Sequence, residues 1–377
     1  MAIRNIEVES DPISKTADHD KKTARVHGGN IYEAARRYDL DAAKIIDFSS
    51  NVNPLGPSST AIRAAKTALA HIDQYPDPSM TGLRRAIARY YGIKPEQVMC
   101  GNGSNGLIHL IPRAFRPKKT LIPAPTFSEY AQAVERAGGE VVPLPLRERD
   151  GFRVDPVEMA FAVKGVDMAF LCNPNNPTGG LIPKADMLEI MQYALRHNVR
   201  LVVDEAFMDF VASESILKEA VLTSNVICLR AFTKFFGMPG LRVGYAVSDE
   251  ATIEALQDHA EPWTVNIPAE RAAIAALSDW EHIKKTLRLI ERERSRLLEA
   301  LRLLPGVETF PAAANFILLK FVSADTHRLR EKLGVRGLLV RDCSNFPGLD
   351  SRYIRIAVRT RGENIRLLKA LRELLIR

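Results

Sequence analysis

The chain has 377 residues, 46% of them apolar and 26% charged, with a formal net charge of +7. That is long enough for two sub-domains and ordinary for a globular protein. The basic excess is scattered among Asp and Glu, and aromatics reach only 7%. Both facts argue against a nucleic-acid groove and leave an anionic small molecule as the better-matched ligand. No apolar run approaches the roughly 20 residues of a membrane helix, and the N-terminus lacks the apolar core of a signal peptide. Cys100, Cys172, Cys228 and Cys343 lie far apart without a C-x-x-C pair, so neither a metal site nor a disulfide framework is expected. A reducing cytoplasm is the expected home.

Residues 1–26 are polar, mixed in charge and aperiodic, and read as an arm or a short extra helix. His27-Gly28-Gly29-Asn30 makes a compact turn before a helical pattern from Ile31 to Tyr38. A short strand at 45–48 runs into S-S-N-V-N-P-L-G, whose Asn, Pro and Gly tolerate unusual backbone angles and expose amides. Helices are expected at 58–70 and 82–91. Next comes a strand end at 98–100, the turn G-N-G-S-N-G (Gly101 to Gly106) and a helix over 107–114. Strand, glycine-rich turn and helix together aim backbone N–H groups at an anion.

From there strands and helices alternate. Strands are expected at 120–123, 140–144, 168–172, 199–203 and 226–229, the third and the last apolar throughout. Such a pattern implies a largely parallel sheet covered on both faces. Ligands gather at the carboxyl ends of its strands. Those ends carry N-P-N-N-P-T-G-G with Asn176, then Asp204 in D-E-A, then Thr233-Lys234. A lysine just past a buried strand is poorly hydrated, holds a lowered pKa, and can form a Schiff base. Arg242, beyond a Gly-Met-Pro-Gly turn, offers a fork suited to phosphate. A charged helix is expected over 270–304 and reads as a solvated face. Strands at 315–321, 338–341 and 353–358, with helices at 327–333 and 362–375, complete a smaller α+β domain.

Taken singly, each of these residues has an ordinary explanation: Asp204 as a helix cap, Asn176 as turn chemistry, Arg355 as an outward strand residue. Their order at successive βα junctions is what resembles the fold-type I pyridoxal-phosphate enzymes, over essentially all of the chain after residue 26. The resemblance implies an α/β fold of the aspartate aminotransferase type. A large domain with a mostly parallel seven-stranded sheet between helices would span 51–265. A smaller α+β C-terminal domain would span 266–377 and be joined by a segment over 27–50. It implies pyridoxal 5′-phosphate as cofactor and a homodimer with shared sites.

Position by position, Lys234 would be the Schiff-base lysine and Asp204 the partner of the pyridinium nitrogen. Asn176 would bond the ring 3-oxygen, and Phe127 would stack on the ring. Ser104, Asn105 and Arg242 would hold the cofactor phosphate, which Tyr75 of the neighbouring subunit would reach, and Gly103 and Thr233 would also contact the cofactor. His27, Gly28, Asn51, Asn176, Arg341 and Arg355 would contact substrate, Arg355 through its α-carboxylate. One departure is Phe207, where many relatives carry Tyr. A ring oxygen with one donor fewer implies a higher pKa for the imine at Lys234.

Within the family, H-G-G-N-I-Y-E-A-A, D-E-A-F-M-D-F, E-P-W-T-V-N and N-F-P-G-L-D-S-R-Y-I-R-I-A-V-R are most similar to threonine-phosphate decarboxylases. These handle a small phosphorylated amino acid and make the linker of the cobalamin nucleotide loop. Histidinol-phosphate aminotransferase, a serine-phosphate preference, and a non-catalytic module on the same fold are the alternatives.

Overall fold

The computed structural model describes residues 28–376. His27 and the expected arm over 1–26 lie outside the described residues. Among the described residues, thirteen strands run in chain order as β1 (Ile46–Asp47), β2 (Val98–Gly101), β3 (Lys119–Ala124), β4 (Glu140–Pro145), β5 (Met168–Cys172), β6 (Arg200–Asp204), β7 (Val226–Ala231), β8 (Gly244–Val247), β9 (Val307–Thr309), β10 (Phe316–Phe321), β11 (Leu338–Leu339), β12 (Arg341–Asp342) and β13 (Tyr353–Ala357).

Seven of them form one sheet in the order β2-β8-β7-β6-β5-β3-β4. All neighbours are parallel except at β8, which is antiparallel to both β2 and β7. The alternation of side chains along each strand explains why these strands read as continuous apolar runs. Phe170, Val202, Ile227 and Leu229 point to one face, under the helices Gly103–Phe115 and Glu129–Arg136. Leu171, Val203 and Cys228 point to the other, against the helix Lys184–Arg196. Each such apolar side chain removed from water stabilises by roughly 1.5–3 kcal/mol, so both faces fix the register, and with it the strand ends.

A second sheet, β12-β13-β10-β9, is antiparallel throughout. β1 pairs in parallel with β11, and the Ala357 N–H donates to the Phe48 carbonyl at 2.8 Å. The N-terminal segment is thereby fastened to the C-terminal sheet region.

Three expectations change. The helix expected at 107 starts at Gly103, so the glycine-rich turn is its first turn. The single helix expected over 270–304 is two, Ile267–Leu277 and Trp280–Arg302. They are separated at Ser278-Asp279, where the Asp279 side chain caps the second by accepting from the His282 N–H. The strand expected over 338–341 belongs to two sheets, with the chain switching at Val340. Among the described residues no helix is long and apolar enough to cross a membrane.

Candidate active site

The carboxyl ends of β5, β6 and β7 deliver Asn176, Asp204 and Lys234 to one cavity of about 510 Å³. Of the other residues singled out from sequence, Gly28, Asn51, Ser104, Asn105, Phe127, Thr233, Arg242, Arg341 and Arg355 line it too, as does Phe207.

Asp204 ends β6 and is almost fully buried. Its Oδ2 accepts from the Tyr130 hydroxyl at 2.7 Å, and its Oδ1 accepts from the Ala206 N–H at 2.9 Å. Burial pushes the carboxyl up, and these two donors oppose that rise. Sequence reasoning missed Tyr130. It sits in the helix Glu129–Arg136, and only packing brings it to the end of β6.

Lys234 follows β7 in a turn held from outside. Its carbonyl accepts from the Asn53 N–H at 3.0 Å. The Asn53 amide also donates to the Phe235 carbonyl (2.8 Å) and the Thr286 hydroxyl (2.9 Å). Burial, then the charges of Arg355 and Arg242, lower the Lys234 amine to about 8. A lysine so placed is a ready nucleophile for a carbonyl. Its Nζ stands 5.8 Å from the centroid of the Phe207 ring.

At the other end of the cavity, Ser104 and Asn105 occupy the first turn of the helix Gly103–Phe115, where N–H groups lack intrahelical acceptors. Gly244 of β8 packs so closely there that a Cβ on it would collide with the Ser104 nitrogen. A Cβ on Gly103, itself at φ +69°, would lie 2.7 Å from Arg242 Nη2. The missing side chain brings the guanidinium against the helix start. Free amides, a helix N-terminus and a guanidinium converge as an anion cradle.

Arg341 and Arg355 are direct partners across the antiparallel β12–β13 pair, so both project from the same face. Arg355 is buried. It donates through Nη1 to Asn176 Oδ1 and through Nη2 to the Ser49 carbonyl at 2.8 Å. Burial lowers it to about 10. Arg341 donates to Asn345 Oδ1 at 2.9 Å and lies 5.3 Å from the Phe346 ring centroid. Asp47 holds the Ser49 loop by accepting from its N–H (2.8 Å) and hydroxyl (2.6 Å). Gly28 packs against the Ser49 carbonyl so tightly that any Cβ would collide with it.

Phe127 lies edge-to-face with Tyr130, ring centroids 5.6 Å apart. Tyr75 is elsewhere: 80% exposed, outside the cavity, with its ring 4.8 Å from that of Trp263. Among the described residues no cluster of His, Cys, Asp or Glu could hold a metal ion.

The model of the family "Aminotransferase class I and II" matches residues 43–371. The chain belongs to this family. It is 37% identical over 352 residues to the threonine-phosphate decarboxylase of Salmonella typhimurium, covering 93% of this chain and 96% of that one. It is 38% identical over 349 residues to a histidinol-phosphate aminotransferase of Roseiflexus castenholzii, covering 90% and 92%. Among solved structures, the histidinol-phosphate aminotransferase of Clostridium acetobutylicum superposes with a TM-score of 0.83 at 31% identity, covering 87% of this chain and 98% of that one. The L-threonine-O-3-phosphate decarboxylase of Porphyromonas gingivalis gives 0.79 at 28%, covering 88% and 99%. The fold is that of the aspartate aminotransferases.

The cofactor of this aminotransferase family member is pyridoxal 5′-phosphate. The cavity fits it on its own evidence. Asn51 Oδ1, Asn105 Oδ1 and Arg355 Nε are buried without hydrogen-bond partners, as expected of groups awaiting a polar ligand. A lysine of lowered pKa, a buried carboxylate and an anion cradle supply partners for an aldehyde, a ring nitrogen and a phosphate.

Proposed function

We propose that the chain is a pyridoxal-phosphate-dependent decarboxylase of L-threonine O-3-phosphate, giving CO2 and (R)-1-amino-2-propanol O-2-phosphate. When bound, the cofactor supplies an aldehyde for the substrate amine and a ring that accepts the electron pair of the broken bond. Lys234 would hold it by the aldehyde. Asp204 would keep its ring nitrogen positive, Phe127 would cover one face, and Asn176 would donate to the 3-oxygen. Gly103, Ser104, Asn105, Thr233 and Arg242 would hold its phosphate, with Tyr75 of a second copy closing that site in a homodimer.

One observation carries the choice of substrate: Arg341 and Arg355 side by side in the same cavity. With Arg242 committed to the cofactor, two guanidinium groups remain for substrate. Threonine phosphate has two anionic ends, and histidinol phosphate has one. Arg355 would take the carboxylate, and Arg341 the phosphate with Gly28, Asn51 and His27. Gripping both ends fixes the torsion about Cα, which decides the bond that lies perpendicular to the ring and breaks. Lys234 would return a proton to Cα.

A second reading, histidinol-phosphate aminotransferase, is favoured by the 38% identity and the 0.83 TM-score to proteins of that name. Its amino-acid co-substrate, if a dicarboxylate, would also fill both arginine sites. Separate incubations decide. Turnover of threonine phosphate without an oxo acid supports the first reading. Glutamate formed from histidinol phosphate and 2-oxoglutarate supports the second.

A further inference from the structure

Tyr130 touches two of the residues that would handle the cofactor ring, Asp204 and Phe127, and has no role of its own in the proposed reaction. Its hydroxyl donates to Asp204 Oδ2 at 2.7 Å. Its ring edge meets Phe127, with centroids 5.6 Å apart and planes at 81°. On the inner side it stacks on Phe170, at 5.1 Å and 11°. Phe170 belongs to β5 in the middle of the seven-stranded sheet. Tyr130 is fully buried. A rigid wall therefore stands behind it, and its other contacts face the cavity.

We propose that Tyr130 is a positioning residue: it holds Asp204 ionised and aimed at the cofactor ring nitrogen while bracing Phe127 for stacking. This rests on the reading of Asp204 and Phe127 given above. A carboxylate enclosed in protein is disfavoured in its charged form unless donors reach it. Two donors reach Asp204, one on each oxygen: the Ala206 N–H and the Tyr130 hydroxyl. The first comes with the local backbone. The second depends on a single side chain and is charge-assisted, the stronger kind of hydrogen bond. Burial pushes the Tyr130 phenol well above its ordinary value, so it stays a donor at every working pH. Without it, Asp204 becomes more basic and takes a larger share of the proton between carboxylate and ring nitrogen. The ring then carries less positive charge and draws electrons less strongly.

The test compares Tyr130→Phe, Asp204→Asn and the double variant. Each is read by its equilibrium affinity for pyridoxal phosphate and by the pH titration of the bound cofactor's visible band. Near-UV circular dichroism of the cofactor-free proteins checks that Tyr130→Phe, which keeps the stacked ring, leaves the fold intact. Tyr130→Phe is expected to weaken cofactor binding about tenfold, the loss of one hydrogen bond to a charged group, and to raise the titration midpoint. The double variant should bind no worse than Asp204→Asn alone, because the tyrosine acts through the carboxylate. Losses that simply add would mean that Tyr130 only fills space, and the proposal would fall. A Tyr130→Phe protein with the parent's affinity and midpoint would overturn it as well. If Asp204→Asn itself changes neither quantity, the assignment of Asp204 to the ring nitrogen has failed and takes this proposal with it.

Discussion

Arg341 and Arg355 face each other as Cα partners across the β12–β13 pair, and both guanidinium groups reach the cavity that holds Lys234. Two cations on one sheet face repel unless a ligand or fixed acceptors hold them. Arg355 has its acceptors in Asn176 and the Ser49 carbonyl, and Arg341 has one in Asn345. Two anionic groups on one substrate would complete the arrangement.

Replacing either arginine with alanine should therefore raise KM for threonine phosphate by about 10–100-fold, the loss of a charge-assisted contact worth roughly 1.5–3 kcal/mol. Both variants should still bind the cofactor. Arg341→Ala should lose preference for threonine phosphate over plain threonine, and Arg355→Ala should keep it. Loss of cofactor binding in Arg355→Ala would remove Arg355 from the carboxylate role.

Lys234 has a stability consequence in the cofactor-free protein. Its folded pKa, about 8, lies below the ordinary 10.5, so the unfolded chain binds the proton more tightly. Stability is reduced below pH 8 and recovers as pH rises toward 10.5. Lys234→Met should therefore be more stable than the parent at pH 7, by roughly 2 kcal/mol after allowance for partial solvent access. The difference should narrow toward pH 10.5. Denaturant titrations of both proteins at several pH values measure it, and a pH-independent difference would show that Lys234 is not depressed.

Phe207 lines the cavity beside Lys234 and meets Phe316 edge-on, with centroids 4.9 Å apart. With the ring placed as proposed, a hydroxyl added there would supply a donor toward the cofactor ring oxygen. Phe207→Tyr is expected to lower the pH midpoint of the bound cofactor's visible band. A midpoint that stays or rises contradicts the idea.

Gly28 allows the chain to lie against the Ser49 carbonyl, which is also an acceptor for Arg355. Gly28→Ala should push the two apart and raise KM about as much as loss of the Arg355 contact, on the order of tenfold. Cofactor affinity should be spared. Equal damage to cofactor binding would mean that the shift spreads to the Lys234 turn.

Much of this site was legible because βα order is written locally. Strands whose two faces are both buried appear as apolar runs, and Asn176, Asp204 and Lys234 follow three of them directly. What was not legible depended on distant packing. The helix start at Gly103 was hidden because glycines argue against a helix, yet Gly103 and Gly244 are needed there for close approach to Arg242 and Ser104. The break at Ser278-Asp279 was masked by charged periodicity running through it, although Asp279 ahead of an amphipathic helix was a readable cap. Tyr130 had no signal of its own, since Asp204 lies on a different element far along the chain. Arg355 alone could be read as an outward strand residue, because strand alternation does not say which face another segment covers; the resemblance put it at the site, and it lines the cavity.

The central claim is tested most directly with L-threonine O-3-phosphate labelled in its carboxyl carbon, turned over in heavy water by the cofactor-loaded protein without any oxo acid. The account predicts labelled CO2 and aminopropanol phosphate in equal amounts, with one solvent deuterium at the carbon that lost the carboxyl group. Retention of the label in an amino-acid or oxo-acid product, with turnover only when 2-oxoglutarate is supplied, would contradict it.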